Sequence, residues 1–295
     1  MPDRTRVLEE REVPADLRAL NPPCRTLHVL GSLPPEGSPR LAVVGSRTPS
    51  PSGERTAYEI AWGLARAGVA VVSGLARGVD AAAHRGAVDG GGITVAFLGG
   101  GSDTLLPRSS RILAERIVER GAVVSEYAPG TPAQPFRFVQ RNRLIAGYTL
   151  GTLVVEGGAR SGALITAGMA LGMGKEVWAV PGDPRRPTCR GSNRLLRDGA
   201  GAVLEADDLL VACGRLRARS EPGGDAPEPP GLTAAERKVW RSLAVSGPAD
   251  VETLSRRTRL AAADLLEALS LLELAGRVRQ DGEGYALAGS GRGRG

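Results

Sequence analysis

Aromatic residues are scarce: three Phe, four Tyr and three Trp make up 3% of the 295 residues. A core with so few rings must be built from Ala, Val, Leu and Ile, and each ring that remains draws notice. Lysine is scarcer still. Lys175 and Lys238 are the only two among 38 Lys and Arg, so the formal charge of +6 rests on arginine. The planar guanidinium fork binds two phosphate oxygens at once, although a GC-rich gene favours the same residue and net charge alone points only weakly to nucleic acid. Cys24, Cys189 and Cys213 are the only cysteines, far apart and without a CxxC pair; that excludes the usual metal spacing and fits a reducing cytosol. No apolar run approaches the roughly 18 residues of a membrane span. The start, MPDRTRVLEEREVP, has no apolar signal core. A cytoplasmic protein with no membrane partner is expected.

What is present is a hydrophobic fraction of 42%, enough for a sizeable core. Residues 1–39 read as a lead-in segment that packs on the main domain, with a short apolar stretch around Leu27–Leu30. From Leu41, short apolar runs alternate with Ala-rich stretches. Strands are predicted at Leu41–Val44, Val69–Val72, Ile93–Leu98, Ala122–Val124, Thr152–Val155 and Glu176–Val180. Helices are predicted at Gly53–Ala67, Asp80–Val88, Ser109–Arg120, Phe138–Ala146 and Gly162–Leu171. This alternation implies βαβ crossovers and an α/β fold, a doubly wound, mostly parallel, Rossmann-like sheet over residues 40–213. The Pro- and Gly-rich stretch 214–231 reads as a flexible linker. Residues 232–287 form a second unit, and the tail 288–295 reads as disordered.

Ligands of open α/β sheets bind beyond the carboxyl ends of the strands. Those ends are rich in glycine here: Gly45-Ser46-Arg47, Ser73-Gly74-Leu75-Ala76-Arg77-Gly78, Gly99-Gly100-Gly101, Glu156-Gly157-Gly158-Ala159-Arg160-Ser161-Gly162 and Pro181-Gly182. Glycine lets backbone N–H groups approach phosphate, and helix N-termini add free donors. One such turn would mean little, because tight βα turns need glycine anyway; five on one edge point to a phosphate-bearing ligand. The GxGxxG fingerprint is missing after the first strand and no GxxxxGK[ST] loop occurs, which argues against a dinucleotide oxidoreductase or an NTPase.

The densest signal is Pro135-Phe136-Arg137-Phe138-Val139-Gln140-Arg141-Asn142-Arg143, with two of the three Phe and three Arg in nine residues. Arginines on phosphates and an exposed ring under a base suit single-stranded nucleic acid, while one Phe is expected to anchor the helix in the core. Arg137 and Arg141, four apart, are expected to share a basic stripe. Asp80 and His84 also share a helix face; a structural hydrogen-bonding role is favoured over an acid–base pair, since no nucleophile lies beside them. Glu156 is placed to hold N–H groups of a neighbouring loop, or to act as a lone base. His28 reads as incidental.

In the second unit, Leu232-Thr233-Ala234-Ala235-Glu236 carries a capping-box pattern. Helical spacing over about 233–245, 250–257 and 261–275, then a hairpin centred on Asp281-Gly282, predicts a small winged-helix domain. Its third helix holds Asp264, Glu267 and Glu273 and no basic side chain before Arg277. That favours protein interaction or an accessory DNA role over reading a groove.

Taken together, VVGSR at Val43–Arg47, SGLARGVDAAAH at Ser73–His84, FVQRNRLIAG at Phe138–Gly147, SGALITA at Ser161–Ala167, AVPG at Ala179–Gly182 and GSNRLLRDGA at Gly191–Ala200 resemble the DprA/Smf family. Leu20–Pro23 (LNPP) and the winged helix fit as well. The resemblance implies an extended Rossmann fold that binds single-stranded DNA without sequence preference, forms a homodimer, protects incoming DNA in natural transformation and loads RecA, with single-strand-binding protein a further partner. It implies no catalysis, no cofactor and no metal. By position, Arg47 would clamp phosphate, and Phe138 or Phe136 would line the strand path with Arg137, Arg141, Asn142 and Arg143. Gly45, Ser46, Ser73, Gly74, Arg77, Gly100, Ser161, Gly162 and Thr166 would supply backbone or hydroxyl contacts. The chain departs from the family pattern at Gly99-Gly100-Gly101, at Gly157 and at Val139, where a proline usually follows the Phe. The helical N-terminal domain of many members is expected to be truncated or missing. Two rivals are weighed: an N-glycosidic hydrolase, whose PGGxGT turn is replaced by Glu156-Gly157-Gly158, and a nucleotide-sensing regulator that binds duplex DNA.

Overall fold

Seven parallel strands, from β6 to the edge strand β9, make up most of a nine-stranded sheet ordered β1-β2-β6-β5-β4-β3-β7-β8-β9. They are β3 (Arg40–Val44), β4 (Ala70–Ser73), β5 (Thr94–Phe97), β6 (Ala122–Ser125), β7 (Gly151–Val154), β8 (Glu176–Ala179) and the short β9 (Gly201–Ala202). The first six coincide with the predicted strands to within one residue at most ends. They are buried on both faces, which is why they read as unbroken apolar runs rather than alternating ones. The computed structural model describes residues 5–103, 108–220, 231–246, 249–281 and 284–287. It divides into two units, residues 1–211 and 212–295.

Helices α2 (Pro51–Arg66), α3 (Val79–Asp89) and α4 (Arg108–Val118) carry the chain from β3 outward to β6. Helix α5 (Pro135–Gly147) returns it to β7 beside β3, and α6 (Gly162–Gly172) and α7 (Arg190–Arg197) carry it the other way to β9. The strand order therefore reverses between β3 and β7, the place where open α/β sheets leave a crevice at their carboxyl ends. The fold is Rossmann-like, mostly parallel and doubly wound, as expected.

The lead-in does more than pack on this domain. Strand β2 (Leu27–Gly31) joins the sheet antiparallel to β6, from His28 opposite Ser125 to Gly31 opposite Ala122. Strand β1 (Arg6–Leu8) pairs outside it, and the short helix α1 (Ala15–Arg18) lies between them. Helix α5 begins three residues before the predicted Phe138, because Pro135 supplies a preset φ at its first turn. At its other end the Lys175 ammonium donates to the carbonyls of Ala146, Gly147 and Thr149 at 3.1, 2.5 and 2.7 Å, satisfying groups a helix end leaves open. Helix α8 (Ala206–Ser220) continues through Gly214, so residues 214–220, expected as linker, are helical. Residues 221–230 of that linker and the tail 288–295 lie outside the described residues.

The second unit holds α9 (Ala234–Ser246), α10 (Val251–Thr258), α11 (Ala262–Leu274) and the hairpin β10 (Val278–Asp281) with β11 (Gly284–Leu287). The capping box forms as written: Thr233 Oγ1 accepts from Glu236 N at 3.2 Å, and Glu236 Oε2 accepts from Thr233 N at 2.6 Å. Val239, Trp240, Leu243, Leu254, Leu265 and Leu272 are buried together. This is the predicted winged-helix arrangement, with Leu266, Leu271 and Leu274 of α11 left exposed among its acids.

Candidate nucleic-acid interface

The crevice between β3 and β7 is a cleft of about 490 Å³. Gly45, Ser46 and Arg47 after β3 form one wall, Ser161, Gly162 and Thr166 at the start of α6 form another, and Phe138, Arg141 and Asn142 of α5 roof it. Two features fix the first wall. Ser46 N donates to Glu156 O at 2.6 Å, and Val79 N at the start of α3 donates to Ser46 O at 3.1 Å. The second contact requires Gly78, whose φ of +86° suits glycine and where any Cβ would press on Ser46 O. Glu156 does hold a neighbouring loop: its carboxylate accepts from Ser50 N at 3.1 Å and from the Ser50 hydroxyl, and Ser50 in turn caps α2.

The second wall is short of partners. Ser161 is the N-cap of α6 but makes no capping bond. Its hydroxyl oxygen is buried and has no hydrogen-bond partner among the described residues. A buried hydroxyl beside open helix N–H groups is a ready anion receptor.

Phe138 lies half-buried between two cations. The Arg47 guanidinium stands 5.4 Å from its ring centroid and that of Arg141 stands 6.0 Å away. Beneath, the ring rests on Gly99, where a Cβ would meet Cδ1 at 2.9 Å. Arg47 is exposed, and Arg77, also exposed, reaches the Arg47 carbonyl at 3.4 Å. Phe136 is 53% exposed and is not among the cleft-lining residues. Arg137 lies against Phe136 and Tyr127, with its guanidinium 5.5 and 4.8 Å from their ring centroids, and donates to Pro132 O.

Several expectations are corrected here. Arg137 and Arg141 do not make an exposed stripe, because the helix face they share turns inward one turn on. Arg141 is 4% exposed and donates to the carbonyls of Gly74, at 2.8 Å, and Phe97. Burial pulls its pKa down to about 10, against the pull of Asp80 and with the push of Arg47. Gly74 is needed for this, since a Cβ there would collide with the guanidinium. Arg143 faces a different groove, with Leu20, Pro22, Met169 and Met173, and is ion-paired to Glu126 at 2.6 Å. Ser73 is fully buried and donates to Val43 O at 2.6 Å. Gly100 accepts from Ser125 Oγ and packs on the 131–133 turn. Of the predicted residues, Gly45, Ser46, Arg47, Phe138, Arg141, Asn142, Ser161, Gly162 and Thr166 are brought together.

Asp80 and His84 have structural partners. Asp80 accepts from Gly74 N at 3.1 Å; burial raises its pKa, opposed by Arg141 and its hydrogen bonds. His84 Nδ1 lies 2.7 Å from Thr94 Oγ1, whose hydroxyl donates to Val71 O. The one Thr proton being used, Nδ1–H must be the donor, leaving buried Nε2 as a lone pair. Burial drives the His84 pKa down to about 3. Thr94 was missed in the sequence, because only the β4–β5 pairing brings it to His84. No group of three His, Cys, Asp or Glu fit to hold a metal occurs among the described residues, and none of their helices is long and apolar enough to cross a membrane.

Residues 4–214 match the family model described as DNA recombination-mediator protein A, and residues 223–284 match that of the DprA winged helix domain. The chain is 42% identical over 264 residues to the putative DNA processing protein DprA of Mycobacterium tuberculosis, covering 87% of this chain and 67% of that protein. It is 43% identical over 185 residues to protein Smf of Escherichia coli, covering 62% and 50%. The DprA structure from Streptococcus pneumoniae superposes with a TM-score of 0.67 at 35% identity, covering 71% of this chain and 75% of that one. The structure of Helicobacter pylori DprA, described for its single-stranded DNA binding mode, shares the fold at 24% identity and a TM-score of 0.65, covering 71% and 95%. The chain spans between about half and two thirds of the length of these curated relatives.

Proposed function

The chain belongs to the DNA recombination-mediator protein A family, and from that premise we propose that it binds single-stranded DNA without sequence preference in the cleft between β3 and β7. One observation carries this reading. The exposed Arg47 guanidinium stands 5.4 Å from the Phe138 ring, in a cleft also lined by Ser161, whose hydroxyl has no hydrogen-bond partner among the described residues. A cation for phosphate, a ring for a base and a helix N-terminus for a second phosphate are what sequence-tolerant strand binding requires. On this reading the strand is held by its backbone and its stacking faces rather than by its base edges.

The strand bound in this way is protected and passed to the RecA recombinase during transformation or recombination, in the cytoplasm, by a homodimer that also meets single-strand-binding protein. The role is mediation rather than catalysis. His84, the one histidine near the cleft, is fully buried and already committed to Thr94.

Fluorescence anisotropy with a labelled oligo-dT strand and a matching duplex, at two salt concentrations, tests the reading. Tight, salt-sensitive binding to the strand and weak binding to the duplex are expected. Arg47→Ala should weaken strand binding and reduce the salt slope by about 0.7. Duplex preference, or an unchanged slope, would remove the cleft from the strand path.

A further inference from the structure

The segment that runs from β8 into the first residue of α7 has no part in the cleft, yet it is strongly basic. Residues 181–190, PGDPRRPTCR, carry Arg185, Arg186 and Arg190 against one acid, Asp183. That acid is taken up by Arg185, 3.1 Å away. Arg186 and Arg190 are exposed, as is Arg160 on the preceding turn, and none of the three forms an ion pair among the described residues.

The loop is held to the cleft wall. Gly191 N and Ser192 N donate to Gly157 O at 2.7 and 3.2 Å. Asn193 clasps Gly182, donating to its carbonyl at 2.8 Å and accepting from its N–H at 3.0 Å. Gly157 belongs to the turn that ends at Ser161. The order β3-β7-β8 therefore sets Arg47, then Ser161, then the arginine loop in a row along one sheet edge, about 4.8 Å per strand.

We propose that Arg160, Arg186 and Arg190 form a second phosphate-binding segment, which takes the sugar–phosphate backbone of a DNA strand where it leaves the cleft on the β8 side. The loop has no aromatic ring, so its recognition of a strand rests on its arginines, whose guanidinium forks bind phosphate. The proposal rests on the single-strand reading of the cleft and lengthens its footprint.

Oligo-dT strands of about 6 and about 20 nucleotides, which straddle the site sizes of single-strand folds, separate the two claims. The doubly substituted Arg186→Ala/Arg190→Ala protein should bind the short strand as the unsubstituted protein does. It should bind the long strand more weakly, with a salt slope smaller by about 1.4, or about 0.7 per arginine. Arg47→Ala should weaken both lengths. If the double substitution leaves the long strand's affinity and slope unchanged while Arg47→Ala weakens both strands, the segment binds no backbone and the proposal is overturned, with the cleft reading intact. Equal losses on both lengths would also overturn it, since the arginines would then act within the cleft. An unsubstituted protein that binds neither length would overturn both.

Discussion

Lowering the pH should destabilise this fold through one residue. His84 is fully buried, its Nδ1–H is committed to Thr94, and its pKa is held down at about 3 against 6.5 for the free side chain. Between those values the unfolded chain takes up a proton that the folded chain refuses. The contribution of His84 to stability is therefore untouched above pH 6.5 and falls as pH drops through the window from 6.5 to 3. The slope is about 1.4 kcal/mol per pH unit for one proton, so about 3 kcal/mol is lost two units below 6.5, with a ceiling near 5 kcal/mol at pH 3. Asp80, whose pKa is raised by burial, acts in the opposite sense and must be separated out. The comparison is therefore between the unsubstituted chain and His84→Gln, which keeps a donor toward Thr94 and cannot titrate. Urea unfolding followed by circular dichroism at pH 7.5, 6, 5 and 4.5 gives the two curves. Their difference should shrink by about 1.4 kcal/mol for each unit below 6.5 as the unsubstituted chain loses its advantage. Parallel curves would refute the reasoning, because His84 would then be free to ionise in the folded state.

Three further outcomes follow from the geometry. Phe138→Ala should cost about 1–3 kcal/mol of strand affinity, whereas Phe136→Ala, outside the cleft, should leave it unchanged; anisotropy titrations decide, and the reverse result would move the stacking platform. Arg141→Ala should cost about 3–5 kcal/mol of folding stability, since it strips two buried carbonyls of a donor and leaves Asp80 uncompensated, while exposed Arg47→Ala should stay within about 0.5 kcal/mol. A loss of strand affinity without loss of stability in Arg141→Ala would restore Arg141 to the DNA contacts. Lys175→Met should lower stability by about 1–3 kcal/mol by leaving the end of α5 uncapped, read as a fall in Tm.

The alternation of strands and helices was legible because the buried parallel strands are spelled in β-branched runs that Ala-rich stretches interrupt. The capping box at Thr233 and Glu236 was legible because both partners lie within one helical turn. What stayed hidden depended on tertiary direction. Leu27–Leu30 read as apolar, but nothing local says that β2 runs against β6. Spacing put Arg137 and Arg141 on one face of α5, yet could not say that this face meets the sheet at Arg141, nor that Arg143 one step round would find Glu126. Phe136 and Phe138 looked alike in sequence; the glycine at position 99, on a different strand end, is what seats one of them. Helix α8 overran the expected linker because its stretch GRLRARS reads as charged and Gly-containing, which composition alone does not separate from coil.

The distribution of the two lysines has a practical consequence. Lys175 spends its ammonium on three carbonyls at the end of α5, and Lys238, in the winged-helix unit, is the exposed one. Amine-directed dyes and surface tethers will therefore select Lys238 over Lys175. A fluorophore coupled there leaves the arginine side chains of the cleft chemically intact, so the unaltered sequence already carries an attachment point for single-molecule measurements on a bound strand. The same scarcity makes amine-dependent crosslinking a poor way to capture DNA in a cleft whose cations are guanidinium groups.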